Sequence, residues 1–147
     1  MTPPNPLEAA ATALCQELAI PVPTPDARAR YELRVGDSTL RLGPWGDGEV
    51  ILEGPVLSLG DNAAANWQVQ QDILRQALTW NLARLKGQAR PEVLSFDEQE
   101  NLIVLWRTWP KDERLIAAIL HGAEEMLNEV EFWRNKIKAF APQLLPT

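Results

Sequence analysis

A chain that does chemistry at one site needs groups that move protons, hold a metal or attack carbon, and this chain is sparing with them. His121 is the only histidine and Cys15 the only cysteine. A zinc site on a helix wants a second ligand at helical spacing, as in His-Glu-x-x-His, and around His121 there are only Gly122, Glu124 and Glu125. A Ser/His or Cys/His pair would have to join His121 to Cys15 or to one of a few serines, none of them in a nucleophile-elbow context. Cys15 has no basic neighbour in sequence to lower its pKa, so it reads as a small packing residue. The acids are numerous but fall in turns and on polar faces, where a carboxylate is ordinarily solvated, and none is assigned a general-acid or general-base role. Gly43-Pro-Trp-Gly-Asp-Gly has the glycines of a phosphate loop, yet no Lys-Ser or Lys-Thr and no helix follow, so it is read as a turn. No cofactor or metal is implied. Six tryptophans are many for this length, and Trp45, Trp106 or Trp109 could mark a recognition surface, since aromatics anchor interfaces.

Binding is therefore the better expectation than catalysis, and composition narrows the partner. The net charge is −6 and the pI near 4.8. Nucleic acid and anionic membrane surfaces both call for a basic footprint, so neither is expected. No stretch approaches the ~18 consecutive apolar residues of a membrane span. The 147 residues suit one domain with a sizeable core. One cysteine excludes an intrachain disulfide. The opening Met-Thr-Pro-Pro-Asn-Pro has no signal-peptide pattern. A cytoplasmic domain is the expectation, with residues 1–4 and 141–147 as short tails.

The elements that would carry a binding surface can be placed by periodicity. Asn5-Pro6-Leu7-Glu8 is a helix start, with Asn5 as cap and Pro6 in the first turn. Leu7, Ala11, Leu14 and Leu18 line one face, and Pro21, Pro23 and Pro25 forbid continuation past Ile20. Tyr31–Val35 alternates apolar and charged residues, Gly36-Asp37 suits a type II′ turn, and Thr39–Leu42 returns. A two-residue loop sets Val35 opposite Ser38, Leu33 opposite Leu40 and Tyr31 opposite Leu42, with Glu32 and Arg41 sharing the other face. Glu49–Glu53 is a third strand, and the Gly54-Pro55 that follows suggests an edge. Asp61 or Asn62 caps a second helix that runs to about Lys86, with Gly87 as its stop. That helix has two apolar rows. Val69, Ile73, Ala77 and Trp80 form one, and Trp67, Leu74, Leu78 and Leu85 the other. Together they are wider than one sheet face needs, so one row could meet a second molecule.

Arg90-Pro91 opens a closing hairpin. Its second arm, Leu102–Trp106, is apolar at every position and is expected to be buried on both faces. A helix from about Asp112 to Phe140 follows. Ile116, Ala123, Val130 and Ile137 form one row, and Ile119, Met126, Trp133 and Phe140 another, with Leu120 and Leu127 widening the stripe toward a lid on the sheet. The fold class is α+β: one domain in α-β-β-β-α-β-β-α order, a twisted, mainly antiparallel sheet with helices packed on it.

This order, with the size and acidity, resembles the class I type III secretion chaperones, the CesT-like or Tir-chaperone family of bacteria. The resemblance lies in Val50-Ile-Leu-Glu-Gly-Pro-Val-Leu-Ser-Leu-Gly and in Val93-Leu-Ser-Phe-Asp-Glu-Gln-Glu-Asn-Leu-Ile-Val-Leu-Trp-Arg-Thr-Trp-Pro, followed by a Leu- and Ala-rich helix with a late Phe132-Trp133. It implies a homodimer that holds the extended N-terminal segment of a secreted effector and presents it to the secretion ATPase. It maps the dimer contact to the second helix, at Val69, Ile73, Ala77 and Trp80. Cargo contacts map to the first helix and nearby strands, at Leu14, Leu18, Leu33, Leu40, Val50 and Leu52, with the third strand as the edge for strand addition. Whether the first helix is exchanged between protomers stays open. A regulator or adaptor of the same fold is the nearest alternative. A small α+β enzyme is a third, which would require Glu49, Glu53 or His121 to be buried together.

Overall fold

A two-residue turn fixes the parity of a hairpin, and the first hairpin follows its sequence pattern. β1 (Tyr31–Val35) pairs with β2 (Ser38–Trp45), with Tyr31 opposite Leu42, Leu33 opposite Leu40 and Val35 opposite Ser38. Gly36 supplies the positive φ, +60°, that the first turn position needs. The computed structural model describes residues 5–59, 67–87 and 92–140. The remaining elements are α1 (Pro6–Leu18), β3 (Glu49–Ser58), α2 (Trp67–Gly87), β4 (Val93–Asp97), β5 (Leu102–Pro110) and α3 (Leu115–Phe140). Their order is the expected α-β-β-β-α-β-β-α. The expected caps at Asp61 or Asn62, the opening at Arg90-Pro91 and both tails lie outside the described residues.

The strands make one antiparallel sheet in the order β1-β2-β3-β5-β4. β3 is thus the central strand, which corrects its expected place at an edge. Pro55 is tolerated there because the register shifts between Pro55 and Leu57, a bulge that takes Val56 out of the ladder. The carbonyl of Val56 accepts instead from Arg134 Nε at 3.0 Å, so α3 satisfies what the bulge leaves over. β2 also runs further than expected. Gly43, Pro44 and Trp45 are ladder residues opposite Ile51, Val50 and Glu49, and only Gly46-Asp47-Gly48 turns. Gly43 leaves room for the stem of Arg30, which would have to shift for a Cβ there, since the Cβ would meet its Cγ at 2.8 Å.

α1 begins as its sequence dictates. Asn5 Oδ1 accepts from the Leu7 amide at 3.0 Å, and Pro6 opens the first turn. Ala19, in the left-handed region at φ 56°, ends it. Leu7, Ala10, Ala11, Leu14 and Cys15 face inward. α3 crosses the middle of the sheet and sits close to it. At Gly54 a side chain would press on Val130 and Met126, and at Gly122 on the Trp109 ring, so both glycines mark close approach between helix and sheet. Ile119, Ala123, Met126, Val130, Trp133 and Ile137 are buried, as the two rows require, while Ile116 and Phe140 at the helix ends are exposed. α2 lies against β4 and α3, and α1 lies against β1, β2 and α3. All three helices therefore cover one side of the sheet. Leu33, Leu40, Leu42, Val50, Leu52, Ile103 and Leu105 point into the core beneath them.

Candidate protein-binding interface

The residues expected to do the binding are mostly core. Leu14, Leu33, Leu40, Val50 and Leu52 are at most 1% exposed. They hold α1 and the sheet together and offer nothing to a partner in this conformation. Leu18 is half-buried and adjoins Ile20 and the exposed Val22, so the end of α1 and the proline-rich exit keep apolar surface. The α2 rows divide in the opposite sense to the expectation. Ile73 and Ala77 are 1% exposed and belong to the core. The side chain of Val69 lies outside the described residues. Trp80 is half-buried, edge-on to Phe140 with ring centroids 5.6 Å apart, and Lys136 Nζ stands 4.8 Å over its ring. Outward are Leu78 and Leu82, four apart and about half exposed, while Leu74 is partly buried against the core and the side chains of Trp67 and Leu85 lie outside the described residues. Hydrophobic periodicity detects two rows but does not say which one meets the sheet; Ile73 and Ala77 join the core cluster where α2 lies against β4 and α3.

The three residues on which an enzymatic reading rested are not brought together. Glu49 and Glu53 alternate on β3 with the inward Val50 and Leu52, so they project to the side away from the helices. His121 is on α3, largely exposed, with Nε2 3.1 Å from Glu125.

One feature escaped the sequence, and a second was only partly legible in it, since Trp45 and Trp106 fall on one surface while Trp109 is buried in the core. The first is a charged cluster on the helix side. Glu92 is 4% exposed, just before β4. Arg107 Nη1 is 4.0 Å from Glu92 and 3.7 Å from Glu125, and the guanidinium lies 4.7 Å over the Trp109 ring. Both Glu92 oxygens, Arg107 Nη1 and Trp109 Nε1 are buried without a hydrogen bond. Removing either charge would strand the other, which is costly. Nothing in an apolar-looking hairpin announces this, because Arg107 falls on the inward face only by register with Leu52.

The second is the open side of the sheet, which no helix covers among the described residues. Trp45 from β2 and Trp106 from β5 lean together there, with centroids 6.0 Å apart and planes tilted by 33°. Beneath them Ile51 and Val104 are 6% and 4% exposed. With Glu53, Ser95 and Asp97 these four residues line a groove of about 250 Å³. Burial pushes the Glu53 carboxyl above the ordinary glutamate range; Arg30 and Arg41 pull it back, and Asp97 and Glu100 add to the rise. A wall further along is closed by ion pairs, Arg41 to Glu100 at 2.5 Å and Arg30 to Asp26 at 3.1 Å.

No group of histidine, cysteine or carboxylate side chains among the described residues could hold a metal ion, and no described helix is long and apolar enough to cross a membrane. The arrangement is one of surfaces: an apolar helix row, a sheet whose edges at β1 and β4 pair with no further strand among the described residues, and an aromatic groove on the open face.

Solved structures share this architecture. The chain is similar to a chain of the ExsC-ExsE complex, at 15% identity and TM-score 0.63, over 86% of this chain and 90% of that one. It is similar to a chain of the HopA1-SchA chaperone-effector complex, at 16% identity and TM-score 0.61, over 90% and 99%. It is also similar to a chain of the ExoT-SpcS complex from Pseudomonas aeruginosa, at 24% identity and TM-score 0.56, over 87% and 97%. A comparison with curated proteins finds no match in sequence. The family profile for the Tir chaperone protein (CesT) family matches residues 10–134, from within α1 to near the end of α3. A match that takes in all five strands and α2, on a fold with the same element order, settles the kinship: the chain belongs to the Tir chaperone protein (CesT) family.

Proposed function

We propose that this protein is a cytoplasmic type III secretion chaperone that acts as a homodimer and binds the extended N-terminal segment of an effector, keeping it soluble for export. Membership of the Tir chaperone family carries this reading. The similar folds in the HopA1-SchA and ExoT-SpcS complexes, each solved with a bound protein, support it. The physics of the surface agrees. An extended segment gains main-chain hydrogen bonds at a free sheet edge, and alternate side chains find apolar surface beside it. Ordering such a segment costs ~2–5 kcal/mol of the gross interaction energy, so apolar anchoring must exceed that. Free edges exist at β1 and β4 rather than at β3. The half-buried Leu18 and exposed Val22 keep apolar surface at the end of α1, the helix that packs on β1 and β2.

The dimer contact is assigned to the outward row of α2, with Leu78 and Leu82 at its centre and Trp80 at its margin. A row of leucines spaced by four is what one helix offers another across a two-fold axis. Docking to the secretion ATPase belongs to the same reading. Co-expression with effector N-terminal segments tests it. A stable complex containing two copies of this chain per captured segment is expected, and a failure of every such segment to co-purify with a well-folded dimer would overturn it.

A further inference from the structure

The open-face groove has a chemistry of its own. Its floor, Ile51 and Val104, is apolar, its walls are Trp45 and Trp106, and two carboxylates, Glu53 and Asp97, stand within it. The cations nearest to it are already engaged. Arg41 is paired to Glu100 and Arg30 to Asp26. Asp97 Oδ1 accepts from the amides of Gln99 and Glu100, which organises the turn and leaves its second oxygen without a hydrogen bond among the described residues. Glu53, half-buried, makes no hydrogen bond or close ion pair among them and is attracted only at longer range by Arg30 and Arg41. A carboxylate so placed gains from a cation brought in by something else.

We propose that this groove is a docking subsite for an extended stretch of protein cargo that carries a basic residue among apolar ones, the aliphatic stem lying along Trp45 and Trp106 and the charged head meeting Glu53 and Asp97. The inference rests on the chaperone reading above and names what one part of the cargo must contain. Long basic side chains suit such a site because their stems cover apolar surface and their heads interact with aromatic faces. Arginine suits it better than lysine, since its planar fork can reach two carboxylates at once. Charge complementarity also decides against a second copy of this chain as occupant. A two-fold contact here would press Glu53 and Asp97 of both protomers into one patch, between chains that each carry a net charge of −6. Trp45 is 48% exposed, a large aromatic surface left uncovered next to these acids.

The test uses the full-length protein and two fluorescein-labelled peptides of alternating valine and threonine, one with a central arginine and one with citrulline, read by fluorescence anisotropy. The arginine peptide is expected to bind roughly tenfold tighter, a difference of the size that one charged hydrogen-bonded contact makes. Glu53→Gln should erase that difference, and Trp45→Ala, a change at an exposed position, should weaken both peptides. Equal binding of the two peptides, or a difference that survives Glu53→Gln, overturns the proposal. So does a change in oligomeric state on Trp45→Ala with peptide binding unaltered, which would give the groove to a second copy. Co-purified effector segments separate this failure from that of the chaperone reading. If segments are captured equally by wild type, Glu53→Gln and Trp45→Ala, the chaperone stands and the subsite falls. If none is captured while the peptides still discriminate, the subsite stands and the effector assignment falls.

Discussion

Replacing Gly122 with alanine should destabilise this protein, against the usual sign. Glycine inside a helix costs about 1 kcal/mol relative to alanine, so an ordinary α3 would gain by the change. Gly122, however, faces Trp109, and an added Cβ would fall inside contact distance of the far carbons of its six-membered ring. That ring cannot easily retreat. Trp109 is 5% exposed, pairs with Val50 in the ladder and lies under the Arg107 guanidinium. Overpacking of this kind costs ~1–3 kcal/mol. Subtracting the helix gain leaves a net loss of about 1 kcal/mol, or a melting temperature lower by roughly 2–4 °C for a chain of this size. Urea titration followed by circular dichroism measures it. The control is the same change in a Trp109→Phe background, where the outer ring carbons are gone. There Gly122→Ala should become neutral or stabilising, giving a coupling energy of roughly 1–2 kcal/mol between neighbours. If Gly122→Ala stabilises the wild type, the helix does not press on Trp109 and the seating of α3 described above is wrong.

Other expectations concern the surfaces and the buried thiol. Leu78→Glu together with Leu82→Glu should give a folded monomer by light scattering, because both side chains are about half exposed on α2; an unaltered dimer would remove the contact from that row. Ile73→Glu should instead lower the yield of folded protein, since Ile73 is 1% exposed. Glu53→Gln should raise stability at pH 7 and have little effect below about pH 4, the ordinary glutamate range. The folded carboxyl is raised by burial, so its protonated form is the favoured one, and stability from it is present at low pH and lost as pH rises through the folded value. Thermal melts at the two pH values decide, and equal shifts would mean that burial does not govern Glu53. Cys15 is fully buried and burial pushes its thiol up, so a thiol reagent should modify the native protein slowly and the urea-unfolded chain at once; fast native labelling would place Cys15 at the surface.

Local rules read well where the physics is local. The register of the first hairpin followed from a two-residue turn and alternation, and α1 from Asn5 and Pro6, because each depends on residues a few positions apart. Strand order depends on contacts across the whole chain, and there local signs mislead. Pro55 suggests an edge, yet Arg134, 78 residues from Val56, satisfies the carbonyl that the bulge frees and makes the central position tolerable. Gly43-Pro44-Trp45 has the composition of a loop, but the stem of Arg30 fills the space over Gly43 and the ladder continues. All the candidate cargo residues except the half-buried Leu18 lie in the core for a related reason. Leu33, Leu40, Val50 and Leu52 are apolar and near α1, which are also the properties of a core. The family resemblance was legible because it rests on element order and apolar pattern together, and the profile match over residues 10–134 rests on the same signals.

The two sides of the sheet treat a partly or fully buried carboxylate differently, and the contrast says where a partner belongs. On the helix side Glu92 has Arg107 as its counter-ion, and Arg107 is shared with Glu125 and stacked on Trp109. That charge is balanced within the chain, so the cluster serves to hold β4, β5 and α3 together. On the open side Glu53 is also withdrawn from water, but the arginines near it are engaged with Glu100 and Asp26. A chain selected for stability alone would place glutamine or threonine at that position, next to two tryptophans that cover an apolar floor. Keeping a carboxylate there costs stability in the free protein, because Arg30 and Arg41 offset its burial only in part, and the cation of the proposed cargo would recover the rest. Tryptophans with no helix over them among the described residues and a carboxylate whose nearby arginines are paired elsewhere are the same signal in two forms, and both fit the docking subsite proposed above.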